Sequence, residues 1–320
     1  MDALRRMVRQ SLRGLRRSPA FTVSVILLLA LGVGSASAIF AVVDHVLLRR
    51  LPYPASERLF TVENGSHSGP AFAEFHGMAS VEAWSAASTD YANLTGEGEP
   101  LRVVQTSISP DFFRMFGARA AVGRLFVAGD YRPAAGAVLS WGLWRRVFGG
   151  ADIIGRTIRL NGDPVVVVGV VDLSFAPPEA LIGERVDVWR PLNPDRPMAT
   201  SRNYVDLSVV GRLAPHARLA DAGRGAQRIA EQRARAFPDH YRNERGRIAE
   251  LPVVALQEAT VGRVRERLTL LLSVVTLLLL VACANVTHLY LARGVSRVHE
   301  MSLRRTLGAS TGSLVGPLLA

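Results

Sequence analysis

The chain has 320 residues, 49% of them hydrophobic, and a formal net charge of +11. All 38 basic residues are arginine, which excludes the lysine-dependent phosphate-binding loop, and the single Cys283 excludes an internal disulfide. The arginine excess sits beside two apolar segments rather than on a face interleaved with aromatics, which argues against a nucleic-acid binder.

Residues 1–20 carry six arginines and one aspartate. Residues 21–43 follow without a charge and are long enough for a helix to cross the hydrocarbon core. Ala36-Ser37-Ala38 also fits a signal-peptide cleavage site. Apolar residues continue through Ile39, Phe40, Val42 and Val43, which favours a retained first span. Ala30, Gly34 and Ala38 repeat at four-residue spacing, a small-residue stripe expected to let helices approach closely.

Residues 44–267 read as an extracytoplasmic α+β domain with its own core. Leu101–Ile108 reads as a strand. Ser109-Pro110-Asp111 reads as a helix start, FFRMF as its body and Gly117 as its stop. Gly136–Leu139 is a short strand, followed by a helix over WGLWRRVF that ends at Gly149-Gly150. Trp141 and Trp144, three apart on that helix, are expected to face the core. Asn161-Gly162 between two β-rich runs predicts a hairpin, and the run Val165–Val168 predicts a strand buried on both faces. A strand over Tyr204–Leu213, an Ala/Arg-rich helix over 218–236 and a strand over 248–257 complete the domain.

Residues 268–292 form the second expected span. Asn285 and His288 lie within it, three apart. Polar groups at that depth are expected to face other helices and to hydrogen-bond across them. Residues 293–310 are basic and helical in pattern. Arg297, Glu300 and Arg304 stand at i, i+3 and i+7, on one helix face. A new apolar stretch begins at 311–320, with glycines at 308, 312 and 316, and reads as the start of a truncated third span.

Arginines concentrate at the start of the chain and after the second span. The positive-inside rule therefore places the N-terminus and residues 293–310 in the cytoplasm and residues 44–267 outside. No spacing matches a metal site, so no metal or cofactor is expected. The Gly308–Gly312 stretch fits G-x-S-x-G, but a charged helix precedes it instead of a strand, so no catalytic serine is assigned.

Four stretches together resemble the MacB/FtsX-like permeases of ATP-binding-cassette (ABC) systems, most closely the duplicated permeases abundant in acidobacteria. They are LRRSPAFTVSVILLLALGVGSASAIFAVVDHVLLRRLPYP at 15–54, VVQTSISPDFFRMFGARAAVGRLF at 103–126, LSWGLWRRVFGGADIIGRTIRLNGDPVVVVGVV at 139–171 and LLLVACANVTHLYLARGVSRVHEMSLRRTLGAS at 278–310. The resemblance implies two transmembrane helices flanking a MacB-like periplasmic core domain. It also implies a cytoplasmic coupling helix that docks on an ATPase made as a separate chain. The family's E-x-x-x-R-x-x-x-G-A pattern falls on Glu300, Arg304, Gly308 and Ala309. With Arg297, Met301 and Arg305, these are the residues expected to dock. The further implications are a homo- or heterodimer of permease units, an inner-membrane location and no enzymatic activity in this chain. The function expected is a permease subunit that couples ATP hydrolysis to movement of the outer domain. The alternative is a membrane-anchored sensor or binding module without an ATPase.

Overall fold

A computed structural model describes residues 19–44, 49–63, 66–96, 98–131, 136–193, 200–242 and 246–306. The basic residues 1–18 and the terminal stretch 311–320 lie outside the described residues. In chain order the elements are α1 (Pro19–Val43), β1 (Leu59–Val62), α2 (Gly69–Phe75), β2 (Val81–Thr95), β3 (Leu101–Ile108), α3 (Phe112–Phe116) and β4 (Ala120–Gly123). Then come β5 (Ala137–Leu139), α4 (Trp141–Phe148), β6 (Thr157–Leu160), β7 (Asp163–Val171), β8 (Val188–Pro191) and β9 (Ser208–Leu213). The last are α5 (Leu219–Ala236), α6 (Pro238–Tyr241), β10 (Val253–Ala255) and α7 (Leu256–Thr306). Two compact units result: a membrane unit, 1–49 with 263–320, and an outer unit, Arg50–Gly262.

The outer unit is organised by β2, which at 15 residues is long enough to serve two lobes. Its first half, Val81–Ala87, pairs antiparallel with β9, which leads on through β1 to the edge strand β10. Its second half, Ala87–Leu94, pairs antiparallel with β3. From there pairing runs β3 to β8 (parallel), β8 to β5 (antiparallel) and β5 to β7 (parallel). β7 pairs with β6, and β6 returns to β2 at Leu94↔Leu160. The second lobe is therefore a closed ring of strands, which leaves no open edge along that circuit.

Three apolar clusters fill these lobes. Phe60, Phe75, Trp84 and Leu213 gather between the first lobe and helices α2 and α5. Leu94, Leu139, Val167 and Val188 of the ring pack with Leu143 and Phe148 of α4. Phe112, Phe116 and Trp189 centre the third cluster, which also takes in Leu256. Residues Trp84–Ser88 of β2 are buried without interruption because they are covered on both faces. Trp84 and Ala86 belong to one cluster and Ala87 to another.

Several local expectations are met. β3 spans Leu101–Ile108 as read, and α4 covers WGLWRRVF. The Ser140 hydroxyl accepts from the Leu143 amide, 3.1 Å, and caps α4. Asn161 and Gly162 have φ of 53° and 89°, the left-handed pair that a tight two-residue hairpin turn requires, and they join β6 to β7. The turn is also pinned to β2, because the Asn93 amide donates to Asn161 Oδ1, 2.8 Å.

Other expectations are corrected. Val165–Val168 is not buried on both faces: Val165 and Val167 face the core, while Val166 is 45% exposed. The strand alternates because only one side of β7 is covered at that point. Ser109 does not cap α3 with its side chain. Its hydroxyl instead accepts from the Ala86 amide, 2.9 Å, and bridges to Ser85. The strand expected over Tyr204–Leu213 begins only at Ser208, and that expected over 248–257 shrinks to Val253–Ala255.

The outer unit holds all three clusters, so residues 50–262 expressed alone should be soluble and unfold cooperatively. Circular dichroism with thermal melting checks this. A largely unstructured chain, or a gradual non-cooperative melt, would contradict it.

Candidate functional site

Among the described residues, two helices are long and apolar enough to cross a membrane, with apolar stretches at Thr22–Val43 and Val264–His288. They are paired within the membrane unit. On α1 the covered positions include Val25, Leu28, Gly32, Ser35, Ile39 and Val43, with Thr22 and Ala36 also partly covered. On α7 they are Leu268, Leu272, Val275, Leu279, Ala282 and Val286. Both sets advance by steps of three and four, as expected for the seam of two helices packed along their length.

Gly32 is the point of closest approach. A Cβ built there would lie 3.1 Å from Leu279 Cδ1 and 3.5 Å from the Ala282 methyl. Without hydrophobic driving force between helices in lipid, close packing at such small residues is what holds a pair together. Ser35 adds no exposed polar burden, because its hydroxyl donates to the Leu31 carbonyl of its own helix, 2.6 Å.

The expected packing residues take a different place. Ala30, Gly34 and Ala38 lie on the exposed side of α1. At roughly 100° per residue, positions two before and two after Gly32 project about 160° away from the seam. Nothing lies within 4 Å of a Cβ built on Gly34. Asn285 and His288 are likewise exposed on α7, because the seam passes from Ala282 to Val286 and leaves residue 285 to one side. These five residues lie exposed on the two helices, and their faces are open to helices outside this pair. Gly32 itself was missed because its nearest small neighbours on the sequence, Ala30 and Gly34, start a competing frame.

The segment expected as a separate coupling helix is continuous with the span before it. Residues 293–306 belong to α7, a single 51-residue helix that begins at Leu256. Arg297, Glu300, Met301, Arg304 and Arg305 all fall on this helix, in its last three turns. Gly308 and Ala309 lie outside the described residues. The helix starts immediately after β10, and Leu256, its first residue, is fully buried in the outer unit's core. The start at 256 was missed because a strand was read through 248–257. That reading ran past Ala255, where helical periodicity takes over.

Among the described residues, no group of three or more His, Cys, Asp or Glu could hold a metal ion. His67 is buried beside Phe75, 5.4 Å between ring centroids, and burial pushes its imidazole below the usual histidine range. It is a packing residue of the first lobe, as are Trp84 and Phe60 beside it.

Residues 22–229 match the family described as the MacB-like periplasmic core domain. Over 230 residues the chain is 22% identical to the macrolide export ATP-binding/permease protein MacB of Neisseria gonorrhoeae, a match that covers 71% of this chain and 33% of that protein. The chain thus spans about a third of the length of the curated relatives it matches. Among solved structures, the periplasmic region of MacB from Actinobacillus actinomycetemcomitans is similar, with a TM-score of 0.47 and 14% identity, covering 66% of this chain and 94% of that one. The extracellular domain of the noncanonic ABC-type transporter YknZ from Gram-positive bacteria has a TM-score of 0.45 and 15% identity, covering 55% and 95%.

Proposed function

Because this chain belongs to the MacB-like periplasmic core domain family, we propose that it is a permease subunit of an ABC-type system. In this reading it couples ATP hydrolysis by a separate cytoplasmic ATPase to movement of the outer domain. The observation that carries the reading is α7. One uninterrupted helix has its first residue in the core of the outer unit, contains an apolar stretch of membrane-spanning length, and ends in a basic segment. At ~1.5 Å per residue it is about 75 Å long. No loop interrupts the helix between its basic end and Leu256, and this continuity is what supports the coupling reading.

The 320 residues contain no lysine for a phosphate-binding loop, so the reading places ATP hydrolysis outside this stretch. Its described helix pair is almost wholly apolar along the seam, which suits mechanical transmission better than passage of a polar solute through the pair. Two permease units, alike or different, would offer the exposed Ala30–Gly34–Ala38 face and the Asn285–His288 face to one another or to further helices.

Orientation decides whether the basic end can meet an ATPase. A reporter fused at Gln10 should read cytoplasmic, and one inserted at Asp130 should read extracytoplasmic, as the arginine distribution requires. Both reporters on one side of the membrane would end the proposal. Cleavage after Ala38, seen as a mature chain beginning at Ile39, would do the same by removing α1.

A further inference from the structure

The outer unit also contains a cleft. It measures about 440 Å³ and opens between the start of α4 and the loop 172–186. That volume lies within the range of small-molecule sites.

Its walls are aromatic. Trp141 stands on α4 with its ring 4.9 Å from Trp144, and it is only partly buried, since one side lines the cleft. Phe175 and Trp189 face each other 5.9 Å apart at 55°. Trp189 is anchored in the core at 1% exposure, so this wall is preformed.

The lining carries the opposite sign from the chain as a whole. Asp172, Glu179 and Glu184 line the cleft with one cation, Arg185, in a protein of net charge +11. Two of these acids are held in place. The Ser174 hydroxyl and amide both donate to Asp172, and these hydrogen bonds pull its carboxyl below the usual aspartate range. The Tyr91 hydroxyl donates to Glu184 at 2.5 Å. The three do not form a cation-chelating cluster, since no such group exists among the described residues. They are arranged around an apolar opening instead.

We infer that this cleft binds a small amphiphilic cation, an apolar body carrying an amine or onium group. The body lies against Trp141 and Phe175, with the buried Trp189 behind Phe175, and the charge sits among the carboxylates. Aromatic faces attract cations as well as apolar surface, so both halves of such a ligand are matched. An anion of the same shape meets the rim with the wrong sign, and a simple metal ion lacks ligands. The inference rests on the cleft alone and stands whether or not an ATPase drives the chain.

The test uses the full chain in lipid nanodiscs and two probes of nearly equal size and opposite charge, tetraphenylphosphonium and tetraphenylborate. Tryptophan fluorescence is titrated with each, and wild type is compared with Glu179→Gln/Glu184→Gln in identical nanodiscs, so that partition into lipid cancels. The expected result is saturable quenching by tetraphenylphosphonium that weakens about tenfold in the double variant, as two partly screened charges would give. Quenching by tetraphenylborate should not weaken. Trp141→Leu, which keeps the wall apolar, should remove most of the tetraphenylphosphonium signal. Unchanged tetraphenylphosphonium affinity in the double variant overturns the inference, as does equal, variant-sensitive binding of both ions. The exposed Glu→Gln changes leave the core untouched, and matching melting curves verify that the variants are folded.

Discussion

Replacing Glu74 with alanine should destabilise the outer domain by about 3–5 kcal/mol, the effect of stripping the partner from a buried charge. Arg233 projects from α5 into the first lobe and is 3% exposed. Its Nε donates to Glu74 Oε2 at 2.5 Å, its terminal nitrogen donates to the Ala71 carbonyl, and its guanidinium lies 4.6 Å from the Phe75 ring centre. Glu74 also accepts from Arg202 Nη2, 2.6 Å, so one carboxylate serves two arginines. Without it, Arg233 has a carbonyl and the rings of Phe75 and Tyr241, with no anion, against the desolvation of a full charge. For a domain of this size the melting temperature should fall by roughly 6–20 °C. Glu74→Leu/Arg233→Met should recover much of the loss, because an apolar pair of similar volume needs no charge partner. Chemical denaturation of residues 50–262 measures both. A loss below about 1 kcal/mol for the single variant would show that the pair is solvated and energetically minor.

This pair illustrates what the sequence conceals. Glu74 and Arg233 stand 159 residues apart, and nothing in their local patterns joins them. Local chemistry was readable wherever one short stretch determines its own conformation. Asn161-Gly162 forces a hairpin, Ser140 caps a helix, and Gly117 ends one with φ of 68°. The two membrane-length segments were equally plain, since length and lack of charge decide them. What could not be read depends on partners distant in sequence. β2 is divided between two lobes by its neighbours, not by its own residues. Val166 is exposed because nothing covers that side of β7. The seam of the helix pair is set by which face of α1 meets Leu279 and Ala282, and the small residues of α1 allow more than one phase. The aromatic cleft stayed hidden for the same reason: Trp141 and Trp189 are 48 positions apart on the chain and meet only after folding.

The basic end of α7 carries the other large expected effect. On a helix, Arg297, Glu300 and Arg304 share a face by spacing alone. Glu300→Arg turns that face uniformly positive. Like charges at this spacing cost a helix only a few tenths of a kcal/mol, so membrane insertion and the outer domain should be unaffected. A docking contact responds differently, because a buried charge pair that loses one partner at an interface costs about 2–5 kcal/mol of association. That corresponds to a weakening of roughly 30-fold to several thousandfold. Reversing the sign adds repulsion to the loss.

Co-purification of the full-length protein with its cognate ATPase, together with stimulation of that ATPase in membranes, tests the coupling most directly. The account predicts that wild type co-purifies and stimulates, while Glu300→Arg inserts normally, keeps the outer-domain melting temperature and loses both. Undiminished association and stimulation in Glu300→Arg would contradict it, and would leave the end of α7 as an anchor at the lipid headgroups.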